Sequence, residues 1–143
     1  DPNNYVQLSG RMAEEMAKSE QHGAIWANQF DNVANRQGHY DTTGPELWEQ
    51  TDGKIDYFVA GIGTGGTISG TARYLKEKNP NVRIIGADPE GSIYTPGSMP
   101  KPYKVEGIGE DFVPNTVNLK IVDEVVNVSD KDSFLMARRL ARE

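Results

Sequence analysis

An α/β fold with a mainly parallel sheet is what this sequence predicts. Three observations carry that reading. Apolar runs of strand length alternate with helical patterns along the chain. A glycine-rich stretch, Gly61-Ile62-Gly63-Thr64-Gly65-Gly66-Thr67, follows one strand directly and opens a helix. Two hydroxyl-to-acid spacings, Thr43 to Glu46 and Ser129 to Asp132, have the form of a capping box at a helix start.

The elements follow in order. Asp1-Pro2 reads as a helix cap with proline in the first turn. Leu8, Met12 and Met16 recur at helical spacing and predict an amphipathic helix over 3–19, which Gly23 breaks. Ala24 to Asn28 reads as a short buried strand and Gln29 to Gly38 as a polar loop. Thr43-Gly44-Pro45-Glu46 begins a helix carrying Leu47 and Trp48, which stops near Gly53. Ile55 to Ala60 is a strand leading into the glycine loop. A helix then runs from Gly66 to Lys78 with Ile68, Ala72 and Leu75 on one side, ended by Asn79-Pro80. Val82 to Ala87 is a further strand. Gly91 to Lys104 has no period and reads as a surface loop, and Glu106-Gly107-Ile108-Gly109 as a tight turn. Glu124 to Val128 is the last strand. Ser129 caps a final helix with Phe134, Ala137 and Ala141 on one face. Trp26 and Trp48 are expected in the core. The first residue starts at a cap and the last helix runs to Glu143 without a stop signal, which predicts a piece of a larger protein.

Composition narrows the function classes. The chain has 143 residues, a formal net charge of −6 and no cysteine. An acidic balance without a basic cluster points away from nucleic acid and from anionic membranes. Without cysteine there is no disulfide framework, zinc ribbon or thiolate catalysis, and no His pair has metal-ligand spacing. Mean hydropathy of −0.62 and the lack of a long apolar run give no membrane span. A cytoplasmic protein is expected.

The glycine loop carries the chemistry. A strand that ends in glycines before a helix leaves several backbone N–H groups pointing one way, with the positive end of the helix dipole behind them. That is a site for a phosphate, and glycine lets the backbone approach the anion closely. Thr64 and Thr67 add hydroxyl donors. Two other readings stay open. The loop satisfies G-x-G-x-x-G, with Asp88 at the end of the next strand where a dinucleotide fold places its ribose-binding acid. It could also be a tight turn without a ligand, or an anion-binding or assembly module without catalysis. Against the dinucleotide, the Gly63 to Thr67 cup suits one terminal phosphate rather than a pyrophosphate, and the loop does not follow the first strand.

Gln29-Phe30-Asp31-Asn32, His39-Tyr40-Asp41-Thr42-Thr43-Gly44-Pro45-Glu46 and the Gly63 to Thr67 loop together resemble the fold-type II pyridoxal-phosphate enzymes. Within them the chain looks like the cysteine synthase and cystathionine β-synthase family. Asp88-Pro89-Glu90-Gly91-Ser92-Ile93 and Val105 to Phe112 lean toward the cystathionine β-synthase branch. The resemblance implies an incomplete three-layer α/β sandwich and pyridoxal 5'-phosphate as cofactor. It also implies amino-acid and thiol substrates and a homodimer.

By the same resemblance Gly63, Thr64, Gly65, Gly66 and Thr67 hold the cofactor phosphate, and Gly107, Ile108 and Gly109 line cofactor and substrate. Gln29 meets the substrate carboxylate, and Phe30 stands beside the cofactor ring. The implied reaction is β-replacement, joining L-serine and L-homocysteine to L-cystathionine. The alternative is O-acetylserine with sulfide to give cysteine. Glu110 and Phe30 stand where some cystathionine-forming members carry tyrosine. The family's Ser-x-Lys-Asp-Arg segment with its Schiff-base lysine is not matched, nor are its Ser/Thr-x-Gly-Asn, Gly-Gly-Ser and Asp-Ser segments. The expectation is therefore a central segment, residues 1–143, that holds no catalytic residue and is inactive alone. The two histidines are expected to be structural.

Overall fold

The computed structural model describes residues 4–143, so the predicted cap at Asp1-Pro2 lies outside the described residues. Helix α1 (Tyr5–Ser19) starts at Asn4, whose side chain accepts from Val6 N at 2.9 Å. Then follow α2 (Ala34–Asp41), α3 (Thr43–Gln50), β1 (Tyr57–Gly61), α4 (Gly66–Lys78), β2 (Arg83–Pro89), β3 (Glu124–Val128) and α5 (Asp130–Leu140). The three strands form a parallel sheet in the order β1-β2-β3. This is the predicted α/β architecture. Among the described residues no helix is long and apolar enough to cross a membrane.

The core lies between α4 and one face of the sheet. Ile68, Ala72 and Leu75 of α4 and Ile84 of β2 are fully buried, together with Ile62 from the glycine loop. Phe58, Ala60 and Val125 pack against them from the same sheet face. α2 and α3 pack on α4. The α2–α4 contact is close because Gly70 has no side chain: a Cβ there would stand 2.0 Å from the carbonyl oxygen of Arg36. On the other sheet face Tyr57, Val59 and Val126 are exposed, so the sheet carries a helical layer on one side only among the described residues.

Several local expectations need correction. Ala24 to Asn28 forms no strand, Asn28 has a positive φ of 44, and Ile25 is 96% exposed. A strand needs a neighbour to satisfy its backbone groups, and none is present among the described residues. Trp26 is accordingly not in the core. It is 40% exposed and lies across Gly10 of α1, whereas Trp48 does pack against the core. The polar loop of 29–38 gives way to α2, a helix with no apolar stripe that is held by its packing on α4. The capping box at Thr43 does not form. Thr42 is the N-cap, without a side-chain cap bond, and Thr43 Oγ1 meets His39 Nδ1 instead. The Gly91 to Lys104 stretch is irregular, yet Ser92 and Tyr94 within it are buried. By contrast Ser129 does cap α5, accepting from Asp132 N at 3.1 Å. The predicted apolar stripes of α1 (Leu8, Met12, Met16) and α5 (Phe134) exist but remain exposed.

Candidate functional site

Parallel strands deliver their loops to one edge of the sheet, and the site is built there. β1 ends at Gly61, the chain crosses over through Ile62 to Gly65, and α4 opens at Gly66. Ile62 fixes the crossing: its N–H donates to Ala87 O at 3.1 Å and its carbonyl accepts from Gly109 N at 2.7 Å. The Tyr94 hydroxyl donates to Gly63 O at 2.6 Å. Gly65 adopts φ 75, a left-handed conformation that favours glycine. The first helical bond comes from Ser69 N to Gly65 O, so the amides of Gly66, Thr67 and Ile68 have no helical carbonyl to bond, and that of Gly66 donates to Thr64 Oγ1 at 3.3 Å.

At Gly63 and Gly66 a Cβ would crowd the neighbouring segments. A Cβ on Gly63 would lie 2.8 Å from Gly107 O, and one on Gly66 would lie 2.0 Å from Asn35 Oδ1. The turn is a cradle of backbone N–H groups at the positive end of a helix, and an anionic group such as a cofactor phosphate fits it.

Two other segments close on the cradle. The Gln29-Phe30 turn is tied to it by Asn35, whose Nδ2 donates to Gln29 O at 2.7 Å and to Thr64 Oγ1 at 3.2 Å. It is tied again by the fully buried Thr116, whose hydroxyl reaches both Phe30 O and Thr64 O. Phe30 is buried and tilts against Phe112, ring centroids 5.5 Å apart. The opposite wall is the 106–110 turn, with Gly107 at φ 83 and Gly109 at φ 76. Asp130, at the start of α5, anchors that wall from behind by accepting from Lys104 N and Val105 N at 2.9 and 3.1 Å.

Between these segments lies a cleft of about 470 Å³, lined by Tyr5, Gln29, Phe30, Gly63, Thr64, Tyr103 and residues 105–110. It brings together Gln29, Phe30, Gly63, Thr64, Gly107, Ile108 and Gly109 from the sequence reading. Gly65, Gly66 and Thr67 continue the cradle into the first turn of α4, outside the lining itself. Thr67 is exposed there, and its hydroxyl lies 3.2 Å from His39 Nε2.

Sequence reasoning passed over Thr116, Asn35, Asp130 and Tyr103, whose roles depend on partners distant along the chain. Glu110, singled out only for specificity, has its carboxyl pushed above the usual range, first by burial and then by the neighbouring Asp111. Tyr103 is likewise raised, by burial and then by Glu110. No lysine lines the cleft. Asp88 is fully buried, and its Oδ2 accepts from Thr95 N and Oγ1 at 2.9 and 2.8 Å. Among the described residues its Oδ1 has no partner but is buried as well, so the carboxylate is not presented to a ribose, which weakens the dinucleotide alternative.

Known proteins resemble this chain in sequence. The family described as pyridoxal-phosphate dependent enzyme matches residues 3–143. The chain is 51% identical to a cystathionine beta-synthase of Dictyostelium discoideum, over 81% of this chain and 24% of that protein. It is 42% identical to the cystathionine beta-synthase of Apis mellifera, over 99% of this chain and 28% of that one. Identity is also 42% to a cysteine synthase of Staphylococcus aureus (strain N315), over 95% of this chain and 44% of that protein. The chain thus spans less than half the length of these relatives. With the family matched along nearly its whole length, this chain belongs to the pyridoxal-phosphate-dependent enzymes.

Proposed function

We propose that these residues form the phosphate-holding part of a β-replacement site that condenses L-serine with L-homocysteine to L-cystathionine. The observation that carries the proposal is the glycine cradle at the start of α4, opening on a cleft it shares with Gln29 and the 107–109 turn. Bound pyridoxal phosphate supplies an electron sink for labilising bonds at the α-carbon of an amino acid.

The chain's own residues bind and orient. Gly63, Thr64, Gly65, Gly66 and Thr67 offer backbone N–H and hydroxyl donors to the phosphate. Each hydrogen bond to a charged group contributes roughly 1.5–3 kcal/mol. Gln29 offers its amide to the substrate carboxylate, and Phe30 gives an apolar wall that excludes water beside the ring. Gly107, Ile108 and Gly109 line the other side, where the absence of side chains at both glycines lets backbone approach the ligand. In this reading these residues form a central segment of the active enzyme and the lysine that carries the cofactor lies outside them, which the absence of lysine from the cleft lining among the described residues supports. A cytoplasmic homodimer completes this reading.

The second reading is cysteine synthesis from O-acetylserine and sulfide. It is favoured by the similarity to the Staphylococcus protein and by a carboxyl group, Glu110, on the cleft wall. Steady-state rates of the intact protein decide between the pairs. Serine with homocysteine is expected to give the higher kcat/KM; a clear preference for O-acetylserine with sulfide would overturn the cystathionine assignment.

A further inference from the structure

His39 stands behind the cradle, half-buried on α2, and both of its ring nitrogens meet hydroxyls. Nδ1 is 2.9 Å from Thr43 Oγ1 at the start of α3, and Nε2 is 3.2 Å from Thr67 Oγ1 in the first turn of α4. Among the described residues no carboxylate bonds the ring. Each hydroxyl can donate or accept by rotating, and a neutral imidazole has one donor nitrogen and one acceptor. The chain Thr43–His39–Thr67 can therefore run in either direction. Nothing within it selects one.

A phosphate selects one. Its oxygens only accept, so a phosphate in the cradle takes the single hydroxyl proton of Thr67. The lone pairs of Thr67 Oγ1 then face Nε2, a contact that is favourable only if Nε2 carries a proton. Nδ1, left without its proton in the neutral ring, accepts from the Thr43 hydroxyl turned round to meet it. A ring protonated at both nitrogens satisfies Thr67 equally, with Thr43 then accepting.

We propose that His39 is a positioning residue for the cofactor phosphate: it holds a proton on Nε2 toward Thr67, so that the Thr67 hydroxyl is aimed at the phosphate. The proposal rests on the reading that Thr67 donates to that phosphate. His39 acts only through Thr67 and does not touch substrate.

The test uses the intact protein, as its gene encodes it, stripped of cofactor, with pyridoxal phosphate and phosphate-free pyridoxal as paired probes. His39→Leu removes the Nε2 donor, whereas His39→Gln keeps an amide N–H near that place. The Leu variant is expected to bind pyridoxal phosphate at least about tenfold more weakly and pyridoxal unchanged, with the Gln variant close to wild type. In protein with 15N-labelled histidine, pyridoxal phosphate should move the His39 Nε2 resonance to the protonated range, the signal being assigned by its loss in the Gln variant.

Equal loss of affinity for both probes in the Leu variant would show a purely structural residue and overturn the proposal. So would an Nε2 that stays unprotonated with pyridoxal phosphate bound. Wild-type protein binding pyridoxal phosphate no more tightly than pyridoxal would instead bring down the phosphate reading of the cradle itself.

Discussion

Glu110 shows how much one residue's surroundings decide. Its carboxyl is partly withdrawn from water beside Asp111, and both conditions disfavour the charged form. The folded protein therefore keeps the proton above the ordinary glutamate value of about 4.3, where the unfolded chain has lost it. That contribution to stability is complete below the unfolded value and is lost as pH rises through the folded one. Glu110→Gln should melt with the wild type in acid and above it at neutral pH, as followed by thermal unfolding across that range. A difference independent of pH would show that the shift is not felt by the fold. His39 makes the complementary point: a residue predicted to be structural does make structural bonds, but one of its partners is a cradle hydroxyl.

At the scale of elements, the strand–loop–helix unit was legible because its parts are local. Gly61 to Thr67, the apolar strand before it and the Ile68, Ala72, Leu75 stripe after it are neighbours in sequence, and α4 runs over the residues expected. The same unit gives the sharpest test of the cradle. Gly66→Ala places a Cβ against Asn35 Oδ1, which also holds the Gln29 turn by its amide. The clash must move Asn35 or the first turn of α4. Pyridoxal-phosphate affinity is expected to fall at least about tenfold, since one displaced hydrogen bond to a charged group suffices for that. A titration showing undiminished affinity would mean the phosphate sits elsewhere. α2 was not legible, because its polar sequence has no helical stripe and its packing rests on a glycine of α4, outside any local window.

Across the whole molecule the site depends on long-range ties. Thr116 lies 86 residues from Phe30 and 52 from Thr64, and its buried hydroxyl joins them. Thr116→Val keeps the shape and the backbone N–H that donates to Phe30 O, but removes the one hydroxyl proton shared between the two carbonyls, at a cost of about 1–3 kcal/mol. Calorimetry should show a lowered Tm that Thr116→Ser largely restores; full stability in the valine variant would argue that the tie is dispensable. The apolar faces left open tell a parallel story. The stripes of α1 and α5 and the face of Tyr57, Val59 and Val126 were readable as apolar, but periodicity cannot say what an apolar face will meet.

The α/β class, the strand–glycine–helix unit, the cap of α5 and the family resemblance could be read from the chain, because each rests on short motifs whose residues are neighbours in sequence. That the cradle shares a cleft with Gln29 and the 107–109 turn emerges only in the folded chain. The ties of Thr116, Asn35 and Asp130 to those walls emerge there too, as does the unpaired course of Ala24 to Asn28. Hydrogen bonds and burial between segments far apart in sequence exist only once the sheet has brought those segments to one edge.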